Sequence, residues 1–179
     1  MARSPRKRAP RIEGRIRCRL WDDPVWRLLS DAEKTTYLQV ATSPGLSTCG
    51  TSTLSLPHLA ASRVSSEDEA MLMAREKEIG DDLAALTSRG FVHVDHVTEE
   101  VLVCGFVTRY GLGHTWQQLV RIERDWAAIL STTIRSLVLD DIKESIPSPL
   151  PVAWLSRLDP GFVAQIGDVC VEALRGDVI

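Results

Sequence analysis

Two stretches decide the fold: LSLPHLAAS at residues 54–62 and DDLAALTSRGFVHVD at residues 81–95. The first predicts a helix with Pro57 in its opening turn, where a missing N–H removes no intrahelical hydrogen bond. The second combines leucines at helical spacing with Gly90, a residue type that commonly ends helices. Alternating residues then predict a hairpin of two strands: Phe91–Asp95 and Val101–Cys104. This order indicates a mainly α fold with a small β-hairpin or sheet, of the α+β class.

The segment upstream adds further elements. Charged and apolar residues alternate from Arg15 to Leu20, which predicts a half-buried strand that joins the sheet. Asp23 followed by Pro24 suits the start of a short helix that ends near Leu29. Ser30 and Glu33 have capping-box spacing, so they predict a second helix, which Pro44 and Gly45 end.

Two further predictions concern the middle of the chain. Ser43–Thr53 is rich in Ser, Thr, Gly and Pro, which predicts a loop. Ser66 and Glu69 form a second capping-box pattern ahead of helical leucine spacing. The span up to Gly90 is therefore one long helix, or two helices joined near residue 74.

Helical patterns return beyond Gly113. Apolar residues from Trp116 to Leu130 predict an amphipathic helix of about five turns, and the pattern continues to Ile142. A last helix is predicted from Pro160 to Leu174. These helices either pack back onto the rest of the chain or form a dimer or partner interface. The candidate interface residues are Trp116, Leu119, Trp126, Phe162 and Ile166.

Charge is distributed unevenly along the chain. The first nineteen residues hold eight basic residues and one acidic residue, a net charge of +7, and the remaining 13 basic and 23 acidic residues carry -10. Residues 1–14 have few apolar side chains, which predicts a disordered basic arm. Such an arm neutralises phosphate or enters a minor groove; the alternative is a solubilising tail.

Several function classes lack their usual patterns. The sequence has no Gly-rich phosphate loop, no nucleophile elbow and no HExxH motif, so we expect neither an enzyme nor a small-molecule substrate or cofactor. The four cysteines form no CxxC pair, so we expect no metal. No apolar run reaches the about 20 residues that a membrane span needs. We therefore expect a cytoplasmic protein with no membrane partner.

The order of elements, with LSLPHLAAS and DDLAALTSRGFVHVD in place, resembles the winged helix-turn-helix superfamily over residues 15–106. More narrowly, RIRCRLWDDPVWRLLSDAEKTTYLQVATSPGL (15–46), VLVCGFVTRYG (101–111) and WAAILSTTIRSLVLDDI (126–142) look like helix-turn-helix proteins of actinobacterial phages and prophages. The resemblance implies a replication initiator, or replisome organiser. It would bind double-stranded origin DNA and use a C-terminal helical part to form a homodimer or contact a replication protein.

The start of the recognition helix decides which residues face DNA. A start near Arg75 places Arg75 and Lys77 in front, whereas a start at Ser66 puts acidic residues there, which phosphate repels. We therefore favour these DNA contacts: Arg63, Arg75, Lys77 and Arg89, with Arg3, Arg6, Lys7, Arg8 and Arg11 of the arm. The alternative is that the helix charges pair with Glu78, Asp81 or Asp82. The hairpin, or wing, lacks Lys and Arg, so it should not grip phosphate strongly.

The sequence thus predicts four regions: a disordered basic arm (1–14), a winged helix-turn-helix (15–110), a long amphipathic helix region (111–146), and a Pro-rich linker with a C-terminal helix (147–179). Three functions remain open. The first is sequence-specific DNA binding in phage-type replication initiation. The second is transcriptional repression, and the third is an acidic protein-interaction module on a winged-helix scaffold.

Overall fold

The computed structural model describes residues 16–63 and 69–167. A 3-10 helix at Cys18–Asp22 precedes the α-helices and strands. In chain order these are α1 (Pro24–Arg27), α2 (Asp31–Ala41), β1 (Thr51–Thr53), α3 (Leu56–Ala61), α4 (Glu69–Ser88), β2 (Val92–Asp95), β3 (Glu100–Val103), α5 (Phe106–Tyr110), α6 (Trp116–Ala127), α7 (Thr132–Ser145), α8 (Val152–Leu155) and α9 (Pro160–Gln165). The prediction of a mainly helical α+β fold with a small sheet is confirmed.

Local capping signals set several helix starts as predicted. The Ser30 backbone N–H donates to Glu33 Oε2 at 2.6 Å, and the Glu33 N–H donates to Ser30 Oγ at 3.1 Å, which completes the capping box of α2. Asp23 caps α1 ahead of Pro24, and Pro57 lies in the first turn of α3. Gly90 follows α4 with φ +73°, a backbone conformation suited to glycine.

Residues 16–20 do not form the predicted strand. Arg15 lies outside the described residues, and the chain turns into the 3-10 helix at Cys18, with Leu20 N–H bonded to Arg17 C=O. Of this helix only Leu20 is buried. Alternation alone was insufficient, because none of the strands in the described part of the chain pairs with this segment.

The predicted loop 43–53 is wrong at its end, since Thr51–Thr53 is strand β1. It pairs antiparallel with β3, with Thr51 opposite Leu102 and Thr53 opposite Glu100. The partner strand lies almost fifty residues away in sequence, so local composition could not reveal the pairing. The β-branched threonines suit a strand.

The three strands form one antiparallel sheet in the order β1-β3-β2. Side chains alternate across the central strand β3. Val101 and Val103 belong to a first hydrophobic cluster, and Leu102 belongs to a second. The predicted hairpin β2–β3 is confirmed, and it has a core on each face.

The first cluster joins the sheet to helices α1 to α4. Its centre is an aromatic group in which Trp26 contacts Tyr37 and Phe91 edge to face, with centroid distances of 5.2 and 5.8 Å. Such geometry is favourable for aromatic pairs. Ile79, Leu83 and other α4 residues at helical spacing complete this core.

The second cluster joins the other face of the sheet to the C-terminal helices. Leu119, Ile134 and Phe162 pack there with Cys49, Leu102 and Val107 from the first part of the chain. The C-terminal helices therefore pack back onto the preceding part of the chain, which was one of the two expected outcomes.

Two of the C-terminal helices are shorter than predicted. α6 ends at Ala127, because the Leu130 and Ser131 N–H groups bond instead to the Glu100 carboxylate and Ser131 caps α7. The α-helix that begins at Pro160 ends at Gln165. The remainder of that prediction, from residue 168 onward, lies outside the described residues.

Candidate nucleic-acid interface

Helix α4 carries the predicted recognition residues. It is one continuous helix through residue 74, so a helix start near Arg75 is wrong; Ser66 lies outside the described residues. Arg75 pairs with Glu78, and Lys77 Nζ lies 3.6 Å from Asp81 Oδ2. Pairing of this kind along the helix is the predicted alternative to DNA contact. Surface pairs of this kind are weak, so the side chains remain able to exchange partners.

Arg63 lies between three helices rather than at the surface. Its Nε donates to Gln39 Oε1 at 2.6 Å, its Nη2 donates to Thr36 Oγ1 at 2.7 Å, and its Nη1 lies 3.7 Å from Asp82 Oδ2. The side chain is 11% exposed. Burial lowers the pKa of Arg63 from its ordinary value, while Asp82 opposes this shift. The geometry gives this residue a role in joining α2, the end of α3 and α4.

Arg89 follows the end of α4. Its Nη1 donates to the Leu28 carbonyl at 3.3 Å and to Glu33 Oε2 at 3.4 Å. The side chain is 36% exposed, so one part of it faces solvent while another joins α4 to the start of α2.

The hairpin tip is acidic. The Ser131 hydroxyl, together with the Val97 and Thr98 N–H groups, holds the pKa of Asp95 below its ordinary value, so this carboxylate stays ionised. Glu99 adds a second carboxylate, and the Glu100 carboxylate is bonded to the start of α7. The tip therefore carries carboxylates and neither Lys nor Arg, and its weak attraction for phosphate stays a prediction.

A pocket of about 340 Å³ lies between the 3-10 helix and α5, where the described chain begins. Three arginines line it: Arg17, Arg19 and Arg109. In the described part of the chain none of the three forms an ion pair with a carboxylate. Asp23 also lines the pocket, with Oδ1 accepting the Val25 and Trp26 N–H groups.

None of these three arginines was a predicted site residue: Arg17 and Arg19 counted only toward the basic N-terminal run, and Arg109 was missed altogether. Its guanidinium lies 5.9 Å from the centroid of the buried Phe91 ring, and it is hydrogen-bonded to the Tyr37 hydroxyl. Burial raises the pKa of Tyr37, and Arg109 opposes that shift. The Nη1 atom of Arg109 is buried and meets no hydrogen-bond acceptor in the described part of the chain. No sequence signal identifies Arg109, because a single arginine between Thr108 and Tyr110 belongs to no recognisable motif.

The five arm residues named as DNA contacts, Arg3, Arg6, Lys7, Arg8 and Arg11, lie outside the described residues. Arg17 and Arg19 continue the same basic run into the described part, and both are exposed. The run therefore joins the folded part of the chain at the pocket.

The candidate interface residues lie mostly inside the chain. Leu119, Phe162 and Ile166 are buried in the second cluster, and Trp126 packs on Phe162 with a centroid distance of 5.2 Å. Trp116 is partly exposed and lies under the Arg157 guanidinium, 4.5 Å from its ring centroid. Contact with another chain through the three buried residues would require the second cluster to open.

Other kinds of site find no support in residues 16–63 and 69–167. No group of three or more His, Cys, Asp or Glu side chains there has the geometry to hold a metal ion. No helix in those ranges combines the length and apolarity needed to cross a bilayer. Cys18 is exposed, Cys49 is buried, and burial raises the pKa of the Cys104 thiol.

No protein-family description matches the chain, and neither a curated protein nor a solved structure shows significant similarity to it.

Proposed function

We propose that the chain binds double-stranded DNA through a winged helix-turn-helix scaffold and a basic N-terminal arm. The order α2, β1, α3, α4, β2, β3 supports the scaffold, with α3 and α4 as the helix pair and β2–β3 as the wing. The observation that carries the proposal is the net charge of +7 in the first nineteen residues, joined to this scaffold. Counterion release by such an arm favours binding to phosphate.

For the biological role we propose phage-type replication initiation, with transcriptional repression as the alternative. The proposal includes a cytoplasmic location, no catalytic activity and no cofactor. A homodimer or a replication-protein contact would use exposed apolar residues of the C-terminal part, such as Leu130 and Leu137, because Leu119 and Phe162 lie in the core.

The acidic protein-interaction module is a second candidate, and specific observations favour it. The hairpin tip carries carboxylates, and the basic residues Arg75 and Lys77 of α4 have acidic partners. On this account the arm binds nucleic acid weakly and the scaffold contacts a protein.

Fluorescence anisotropy with duplex DNA separates these functions. Binding is measured for random and cognate-genome duplexes at about 50 and 200 mM salt, with the full chain and with a chain that starts at Arg15. If each of the five arm residues contacts a phosphate, truncation makes the negative slope of log K against log salt concentration shallower by about 4–5. Sequence-selective binding that survives truncation contradicts the interaction module.

A matched pair of arm variants serves as the control. In one, the four arm arginines and Lys7 become glutamine; in the other, the four arginines become lysine and the charge is kept. We expect the glutamine variant to behave like the truncated chain and the lysine variant to retain the salt slope. Absence of duplex binding by the full chain at the lower salt concentration would overturn the DNA-binding function.

A further inference from the structure

We propose that the pocket lined by Arg17, Arg19 and Arg109 binds a nucleotide unit through its phosphate group. This deepens the proposed function, and it depends on that function only for the source of the phosphate, which is either a DNA strand or a free nucleotide.

The pocket arginines differ from the basic side chains on and around α4 in their charged neighbours. On and around α4 the basic side chains of Arg63, Lys77 and Arg89 each lie near a carboxylate. The three pocket arginines have no such partner in the described part of the chain. Asp23 supplies one negative charge, so an excess of two positive charges remains, which matches a phosphate dianion. Arginine is well suited to phosphate because its planar donors bind two oxygens at once.

One nitrogen of the half-buried Arg109 side chain, Nη1, is itself buried, and this observation is independent of the charge balance. A guanidinium group that is withdrawn from water and not fully hydrogen-bonded costs free energy. The Phe91 ring and the Tyr37 hydroxyl lie beside this group, and neither supplies a negative charge at neutral pH. Arg109 Nη1 is left without an acceptor in the described part. An anion in the adjoining pocket would offset this cost.

The shape of the pocket indicates more than a bare phosphate. Its volume of about 340 Å³ falls at the lower end of the about 300–1,000 Å³ usual for small-molecule sites. Ile16, Leu20 and Tyr110 give it an apolar and aromatic wall. The Tyr110 ring already contacts Phe106 at a centroid distance of 4.5 Å and has the Arg17 guanidinium 5.8 Å from its centroid, so a base would stack on the Arg17 guanidinium plane. Bases stack on aromatic rings and on guanidinium planes.

The test is a nuclear magnetic resonance titration of the full-length, nitrogen-15-labelled chain, observed at the arginine Nε–Hε signals. The probes are thymidine 5′-monophosphate, inorganic phosphate, thymidine without phosphate, and a short DNA duplex. We expect thymidine 5′-monophosphate to shift the Arg17, Arg19 and Arg109 signals saturably, inorganic phosphate to bind more weakly, and thymidine to leave them unchanged.

Arg19→Gln is the main variant because this side chain is exposed, and Arg121→Gln is its matched control on the exposed side of α6. Loss of a charged hydrogen bond should weaken nucleotide binding about tenfold in the first and leave the second unchanged. Arg109→Lys should also weaken nucleotide binding, and Arg17→Gln gives the second measurement if that variant fails to fold. Equal weakening in Arg19→Gln and Arg121→Gln would overturn the proposal, because it would show only general electrostatic attraction.

The titration with the DNA duplex separates this proposal from the proposed function. Shifts at the pocket with the duplex alone support the proposal and assign the phosphate to a DNA strand. Duplex binding without any shift at the three arginines, together with no response to the nucleotide, overturns the pocket and leaves DNA binding intact. Saturable nucleotide shifts without duplex binding support the pocket and overturn DNA binding.

Discussion

Gly50 has both a left-handed backbone conformation and a crowded position. Its φ is +77°, and a Cβ built there would lie 2.3 Å from Phe106 Cβ. Gly50→Ala therefore combines backbone strain with a clash against a buried ring. We expect it to lower the free energy of unfolding by about 2–5 kcal/mol, measured by urea denaturation.

Gly90 is the matched control for this substitution. Its φ is +73°, but nothing lies within 4 Å of a Cβ built there. Gly90→Ala should cost only the strain, about 1–2 kcal/mol. Equal losses in the two variants would show that Phe106 moves aside without cost and that the packing argument is wrong.

Arg63 offers a test between structure and recognition. Arg63→Met removes the donors to Gln39 and Thr36 and leaves the Asp82 carboxylate without this cation, so we expect a loss of about 1–3 kcal/mol in unfolding free energy. The salt slope of DNA binding should stay unchanged if the residue contacts no phosphate. A slope reduced by about 1 would instead make Arg63 a DNA contact, as the sequence predicted.

Among the elements, α5 depends on a carboxylate from a distant helix. Its N-terminal residue Gly105 provides no side-chain cap, and Asp141 of α7 accepts the Val107 and Thr108 N–H groups at 2.7 and 3.1 Å. Asp141→Ala should cost about 0.5–2 kcal/mol, since removal of a capping side chain costs that much. The neighbouring exposed residue gives a control, Asp140→Ala, which should change the stability little. The prediction fails if urea unfolding finds the two variants equally stable.

Elements with a local signal were predictable from the sequence. The Ser30–Glu33 capping box, the helix start at Pro57 and the stop at Gly90 each depend on residues within a few positions of one another, and the structure confirms them. The hairpin is also local, because its strands adjoin along the chain.

Elements and groups that depend on distant partners were not predictable. Strand β1 exists because β3 pairs with it. The 3-10 helix forms where a strand was predicted, since that segment pairs with none of the strands in the described part of the chain. In the candidate site, Arg109 joins Arg17 and Arg19 only after α5 packs beside the 3-10 helix. The sequence predicted a basic N-terminal run but not a pocket at its end.

At the level of the whole molecule, the two clusters share one sheet. Leu102 and Val107 pack with the C-terminal helices, while their neighbours Val103 and Phe106 pack with α2 to α4. We expect the clusters to unfold together. In native-state hydrogen exchange, the amides of Leu83 in the first cluster and Val138 in the second should be among the slowest and should share one opening free energy.

Truncation after Leu112 gives the complementary measurement. It removes helices α6 to α9 and exposes Leu102 and Val107, so the shortened chain should lose cooperative unfolding. Two separate opening free energies, or a cooperative transition in the shortened chain, would show that the two clusters are independent folding units.

The alternation along β3 also restricts how the chain can change in length. A one-residue insertion within Glu100–Val103 would send side chains meant for one core to the opposite face of the sheet. The hairpin turn at 96–99 carries no buried residue, so we expect it to accept extra residues best before Glu99, whose C=O accepts the N–H of the core residue Leu54. Chains that share this fold should therefore vary in length at the turn and keep β3 at a constant distance from α5.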